Sequence, residues 1–429
     1  MNTRDNHPTV REVDAGRRSL LQLFGAGAAV AGAVLPFAAL AAPPYQLRVQ
    51  ALSAQRIPVQ AVIDKFIAKY SGSTVNSTAV DIDQLYTSTR VSLSAGNAAD
   101  ILTVQPGNGN PITIGQLSRF LGDLSAMPFA GKVPASLNSL VKVDGKLLML
   151  PTTLSTVGGI YNTKTFESKG WAQPKTWTEF LGLCEKIKGG GMIPIAAGNG
   201  TNWVNQLITY ALLPSLVYAD NPDFNEDRKN RKVKFATSGW KEALNKYLEL
   251  QKLGFLSPNP NGTSLDEQLQ MVASGKAAMA IVTSGNLANV FKYAGHRDFA
   301  ILPVPSSDNP AKFWTTATAS NGFAANAKAS NPEAVQAFLN FVAEPDSVYI
   351  FGAAAVSPTV LPSAANPEVD KIFRAWSQIY RQGKTVPYPD FTWPNPRPQQ
   401  IHNAGVQELL AGKTTVDDLL KRMDEAYDA

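Results

Sequence analysis

From Tyr45 onward the spacing of apolar positions changes repeatedly, and each change marks an element. Gln46 to Leu52 reads as a strand. The stretch Pro58 to Tyr70 places Val59, Val62, Ile63, Phe66, Ile67 and Tyr70 on one helical stripe. A strand over Ser73 to Val80, a helix from about Asp83 to Ala95 and a strand over Asp100 to Val104 follow. The order β, α, β, α, β predicts a mostly parallel sheet with helices on both faces. Ligands of such sheets bind beyond the carboxyl ends of the strands, which here means Ser53 to Arg56, Asp81 to Asp83 and Gln105 to Asn110.

The stretch DGKLLMLPTTLSTVGGIYNTKTF, Asp144 to Phe166, breaks this rhythm. Its Gly145-Lys146 pair lacks the spaced upstream glycine of a phosphate loop, and Leu147 stands where a magnesium-binding Ser or Thr belongs. Lys146 to Leu150 instead reads as a short strand buried on both sides and stopped by Pro151. A second strand, Thr156 to Tyr161, contains Gly158 and Gly159, which weaken a strand unless another backbone or a ligand comes close. The stretch marks a junction.

A second set of elements lies beyond it. Thr176 to Glu179 predicts a capping box opening a helix over Trp177 to Lys188, and Ser264 to Glu267 predicts another. Helices are expected around Asn202 to Leu213 and Trp240 to Leu253, and strands at Ala277 to Val282 and Phe299 to Val304. Asn331-Pro332 caps a helix bearing Val335, Phe338, Leu339 and Val342, and helices continue to the end. No low-complexity linker separates the two sets, so the chain is expected to cross between two domains more than once.

Length agrees, since 429 residues exceed one ordinary core. Residues 1–41 stand outside that core. Arg17-Arg18 precedes an uncharged Ala/Gly/Leu stretch ending in Ala39-Leu40-Ala41, a small-x-small cleavage site. Gly16-Arg17-Arg18-Ser19-Leu20-Leu21-Gln22 is similar to a twin-arginine export motif; an ordinary export signal and an uncleaved anchor are the alternatives. Four arginines and three acidic residues leave with this segment, taking the net charge from +5 to +4. So dispersed a charge does not suggest nucleic acid as a partner. The sole cysteine, Cys184, excludes an internal disulfide and a cysteine metal cage, and shares a core-spaced face with Trp177, Phe180, Leu181 and Ile187.

Several segments in order carry a family likeness: FIAKYSGSTVNS, AGNAADILTV, the stretch from DGKLLMLP to LCEKI, SGKAAMAI, NGFAANAKASNPEAVQAFLNFV and VQELLAGKTTVDDLLKRMDEAY. Across nearly all the chain after the signal it resembles the family 1 extracellular solute-binding proteins, the maltose-binding-like receptors of ABC importers. The resemblance implies an α/β fold of two lobes that close on a ligand like a Venus flytrap. One lobe comprises residues 42–156 with about 298–345, and the other about 157–297 with 346–429. It further implies a carbohydrate ligand, delivery to a membrane permease, a periplasmic location, a monomer and no cofactor. Gly158 and Gly159 fall where the lobes would hinge; packing is the alternative reason for them.

A sugar receptor needs flat aromatic faces and Asp, Asn, Gln or Arg hydrogen-bonding groups. Trp177 and Trp240 lie on amphipathic helices and are expected in the core. Trp203, Trp314 and Trp393 lie among turn-forming neighbours and are candidate ligand platforms. In the family, segments matching Trp203 and Trp393 commonly face the cleft. Polar candidates at the strand ends and later segments are Gln55, Asp81, Asp83, Gln105, Asn108, Asn202, Asn286 and Asn321. Two departures from the family pattern, Gln105-Pro106-Gly107 and Thr283-Ser284-Gly285-Asn286, leave the substrate class open.

No catalytic constellation is legible, because His296 and His402 lie far apart and no nucleophile elbow or zinc-binding helix occurs. An exported carbohydrate-active enzyme with two distant carboxylates is the enzymatic alternative. Within binding proteins, glycerol phosphate would call on Arg56 or Arg397, a polyamine is another option, and QIYRQGKTVPYPD is the one hint of a metal.

Overall fold

The first sheet forms from strands whose burial follows their place in it. Ile101–Val104 is wholly buried, whereas Thr74–Val80 is polar and exposed except at Val80. In the computed structural model, which describes residues 44–429, the spatial order is Gly322–Ala325, Ile101–Val104, Gln46–Leu52, Thr74–Val80. The last three run parallel and the first is antiparallel to Ile101–Val104. The expected βαβαβ unit is present, with helices at Arg56–Lys69 and Ile82–Ala95. The export signal expected over residues 1–41 lies outside the described residues.

A second sheet has the order Phe299–Leu302, Val157–Asn162, Ala277–Thr283, Ile193–Ala196. Only its last pair is parallel. Helix Trp177–Gly189 begins where Thr176 Oγ1 accepts the Glu179 N–H at 3.2 Å, but the Glu179 carboxylate returns to Lys175 N instead of Thr176. At Ser264 both halves of the capping box form. Cys184 is buried as its spacing predicts, and burial pushes its thiol up to about 12.

The junction read at Asp144 to Phe166 is where the chain passes between the sheets. Leu150 bridges Phe323 of the first sheet, Leu154–Ser155 pairs antiparallel with Thr318–Ala319, and Val157 enters the second sheet opposite Thr283. A third passage lies alongside, with Thr153 bridging Thr359. The strand expected over Lys146 to Leu150 shrinks to Lys146–Leu147, which pairs back on Lys142–Val143, although Leu148, Met149 and Leu150 are buried.

Phe299–Leu302 belongs to the second sheet, and the chain pairs with Leu154–Ser155 further on, at Thr318–Ala319. Helix Pro345–Ala355 packs on Arg56–Lys69 beside the first sheet. Gly159 pairs on both sides, with Ile281 and Leu302, and Gly158 pairs with Val282. A Cβ on Gly158 would come within 2.9 Å of the Leu302 carbonyl oxygen, so close backbone approach accounts for that glycine. Among the described residues, no helix is long and apolar enough to cross a membrane.

Candidate functional site

The loop that follows Ile101–Val104 meets a late segment of the chain at the carboxyl ends of the first sheet. Asn108 ties the two together. Its N–H donates to the Phe391 carbonyl at 2.8 Å, and its side-chain amide donates to the carbonyls of Trp393 and Pro394 at 3.2 and 2.8 Å. Gly107 and Gly109 make the approach possible, because a Cβ at either would fall on the carbonyl oxygens of Phe391 and Asp390.

From the second sheet, the loop after Ile193–Ala196 leads into a 3-10 turn, Asn202–Gln206, and then the helix Leu207–Leu213. The sequence predicts one continuous helix here, so the tighter turn is a correction with a consequence. With three residues per turn, Trp203 and Gln206 fall on one face. Gln399, on helix Arg397–Leu410, donates to Gln206 Oε1 at 3.1 Å and to Asp390 Oδ2 at 2.8 Å. Residues from both sheets' strand ends therefore converge on Asp390.

Around this carboxyl stand three tyrosines. Tyr210 and Tyr388 have ring centroids 6.4 Å apart, and Tyr388 lies 5.4 Å from Phe391. The Tyr388 hydroxyl reaches Ser155 Oγ at 2.8 Å, on the passage between the sheets. Tyr86, from Ile82–Ala95, donates its hydroxyl to Gln105 Oε1 at 3.4 Å and feels the charge of Asp390. Behind Tyr210, His402 stacks on its ring, and Trp240 meets His402 edge-on.

The network is only partly satisfied. Among the described residues, no well-formed hydrogen bond serves Asp390 Oδ1, the Tyr210 hydroxyl, either ring nitrogen of His402, Trp240 Nε1 or the side-chain amide of Asn205. The Tyr210 hydroxyl is near enough to Asp390 to perturb it, without a well-formed bond between the two. A buried polar atom left unpaired costs about 1–3 kcal/mol, so such a concentration in one place is expensive unless something else bonds to it. Electrostatics follow from the same burial. Desolvation pushes the Asp390 carboxyl up to about 7 and holds the His402 imidazole down to about 3.

The candidates read from the sequence are distributed unevenly around this centre. Gln105 belongs to it, held by Tyr86 and by Asn110, which donates to the same oxygen. Trp203 and Trp314 are half-buried and keep exposed ring surface, and Asn202 is exposed beside Trp203. Trp393 is a correction: at 1% exposure it packs against Phe235 and Trp240 at 5.5 and 5.8 Å, with no face free for a ligand. Asn108 is occupied with the late segment, and Asn286 turns its amide back to Thr283. Gln55 donates to the Asn321 carbonyl at 3.3 Å. Asp81 and Asp83 are exposed at the start of Ile82–Ala95, the first without a capping bond.

Asp390, Tyr210, Gln206, Gln399 and Tyr86 were missed. Asp390 lies among turn-forming residues in YPDFTWPNP, where an acid reads as a turn residue. Tyr210 lies in a helix buried at every position, so no polar face betrays it. Among the described residues, no group of His, Cys, Asp and Glu is arranged to hold a metal. A cavity of about 440 Å³ opens elsewhere, between Phe299–Leu302 and the helices carrying Lys371 and Arg374.

Two α/β lobes joined by three passages, with a polar and aromatic centre at the meeting of their strand ends, define a two-lobe solute-binding architecture. Residues 53–349 match the family model described as bacterial extracellular solute-binding protein, and the chain belongs to that family. It is 25% identical over 182 residues to a probable sugar-binding periplasmic protein of Mesorhizobium japonicum, covering 41% of this chain and 42% of that one. A diacetylchitobiose binding protein of Streptomyces coelicolor is 24% identical over 216 residues, 48% of this chain and 45% of the relative. The matches thus span less than half the length of these curated relatives. Over the whole fold, a chitin oligosaccharide binding protein superposes with a TM-score of 0.75 at 21% identity, covering 90% of this chain and 98% of that one.

Proposed function

We propose that this chain is a periplasmic receptor that captures a carbohydrate between its lobes and delivers it to an ABC transporter permease, with no chemistry performed on the ligand. The observation that carries this reading is the half-satisfied network of Asp390, Gln399, Gln206 and Tyr210, flanked by aromatic rings where the strand ends of both sheets converge. Hydroxyl-rich ligands satisfy such groups, and ring faces cover their CH patches. Gln105, Trp203 and Trp314 supply further contacts from the rim. Sugar-binding relatives support the same class.

In this reading one lobe comprises the first sheet with helices Arg56–Lys69 and Pro345–Ala355, and the other comprises the second sheet with the helices packed around it. Closure turns on the three passages near Leu154, Thr318 and Thr359. Residues 1–41 act as an export signal of twin-arginine type, and the receptor works as a monomer. A phosphate ester is disfavoured, since an anion would face the Asp390 carboxyl, while Arg56 and Arg397 point to solvent.

A thermal-shift screen of the purified protein against mono- and oligosaccharides and glycerol phosphates tests the proposal, because a ligand of the folded state raises its Tm. A selective sugar shift, reduced in Trp203→Ala, is the expected result. A shift by phosphate esters alone overturns it.

A further inference from the structure

We infer that the cavity beside Phe299–Leu302 is a second binding site, apart from the centre around Asp390, and that it takes a small carboxylate carrying an amide, the chemistry of an N-acyl amino acid. The cavity holds about 440 Å³, the size of a small-molecule site. It lies between the edge strand of the second sheet and the helices Pro367–Ile372 and Arg374–Arg381. None of its lining residues belongs to the Asp390 network. The wall is braced from behind: Trp376, 2% exposed, donates Nε1 to the Thr316 carbonyl at 2.9 Å, which ties Arg374–Arg381 to the passage between the sheets.

The charges of the lining call for an anion. Glu368 pairs with Arg297, and Asp298 is bound by Lys164 at 2.8 Å and lies 3.3 Å from His296 Nδ1. Both acids at the cavity are thus engaged, whereas among the described residues no carboxylate pairs with Lys371 or Arg374, which line it too. A lone exposed cation needs no partner, but two at one concave mouth leave a positive field there. The interior supplies the amide's partners. Thr163 N–H donates to the Asp298 carbonyl at 2.9 Å, and bonded pairs of the antiparallel ladder alternate from that point. Ile301, opposite Ile160, therefore turns its N–H and C=O to the open edge, where neither finds a partner among the described residues although Ile301 is 1% exposed. A strand edge of this kind bonds an amide as it would a further strand. Tyr161, 6% exposed, accepts from the Gln173 amide at 2.8 Å and keeps its own proton to donate. Ile372 and Ala375 cover the carbon chain between the two polar ends.

Calorimetric titration of the full chain tests the site with N-acetylglutamate, with glutarate, which keeps the charge without the amide, and with N-acetylglycinamide, which keeps the amide without the charge. About 0.15 M salt screens loose surface pairing. N-acetylglutamate should bind about 10-fold or more tightly than either control. Replacing both cations, Lys371→Gln with Arg374→Gln, should weaken it by about 10-fold or more at an unchanged Tm, since both side chains are exposed. Ala375→Trp fills the cavity and should abolish binding; if that variant does not fold, the double variant carries the test. Glutarate binding as tightly as N-acetylglutamate overturns the role of the amide, and N-acetylglycinamide doing so overturns that of the cations. Full affinity in the double variant, or no binding of N-acetylglutamate to wild type, overturns the site. The thermal shift given by a sugar should be the same in the double variant as in wild type, so the receptor reading stands or falls separately.

Discussion

Tyr210 and His402 lie with ring planes 10° apart and centroids 6.0 Å apart, and Asp390 lies close enough to Tyr210 to perturb its hydroxyl. One tyrosine thus joins two buried titratable groups whose ionisation is suppressed in opposite senses. Asp390 is raised to about 7, so the native state holds its proton where the unfolded chain has lost it, and stability falls as pH rises from about 4 to 7. His402 is lowered to about 3, so the unfolded chain takes up a proton that the native state refuses, and stability falls as pH drops below about 6.5. Between pH 4.5 and 6.5 the two slopes oppose each other. Urea unfolding of the empty wild type should be nearly flat with pH in that window. In Asp390→Asn the histidine slope stands alone, and stability should fall by about 1 kcal/mol per pH unit on acidification.

Trp393 and Trp203 should behave as opposites in unfolding experiments. Trp393→Ala removes a fully buried ring from contact with Phe235 and Trp240 and should cost about 3–5 kcal/mol. Trp203→Ala, at a half-buried ring, should change stability by less than about 1.5 kcal/mol and act mainly on ligand affinity. Denaturant midpoints and calorimetric affinities for both variants check the contrast.

Gly109→Ala places a methyl group on the Asp390 carbonyl oxygen, which is rigid backbone. The loop and the late segment must then separate. Small-angle scattering should report a larger radius of gyration for this variant than for wild type, with ligand affinity reduced about 10-fold or more. An unchanged radius with unchanged affinity would show that the loop shifts without parting the lobes.

Cys184 should resist thiol reagents in the native protein. Its thiol is fully buried and burial pushes it up to about 12, so almost no thiolate forms at pH 8. Ellman's reagent should label it only at the rate of unfolding, and fully in denaturant.

Local order is legible in the sequence where short-range chemistry decides it. Helix Pro332–Val342 starts at the expected cap, with Asn331 Oδ1 accepting from Ala334 N at 3.0 Å, and Trp177 and Trp240 occupy the core as their helical spacing implies. Strands Gln46–Leu52 and Ala277–Thr283 lie within a residue of their predicted limits. The signal failed at Trp393. Turn-forming neighbours suggested exposure, but Phe235 and Trp240, distant in sequence, close over the ring. Asp83 and Asn108 show the same limit: both stand near strand ends, yet one faces solvent and the other is consumed by carbonyls 285 and 286 positions away.

The sequence by itself determined the elements, the family and the place where the chain crosses between lobes, because apolar period, caps and a proline-stopped strand act over a few residues. Only the tertiary structure decided which polar groups face one another. Asp390 meets Tyr210 and Gln399 from two separate helices, and its lack of a cation partner among the described residues is a property of that assembly. Burial and pairing of a charge depend on what the fold brings within a few ångströms, and residues so far apart in the chain carry no local mark of their meeting.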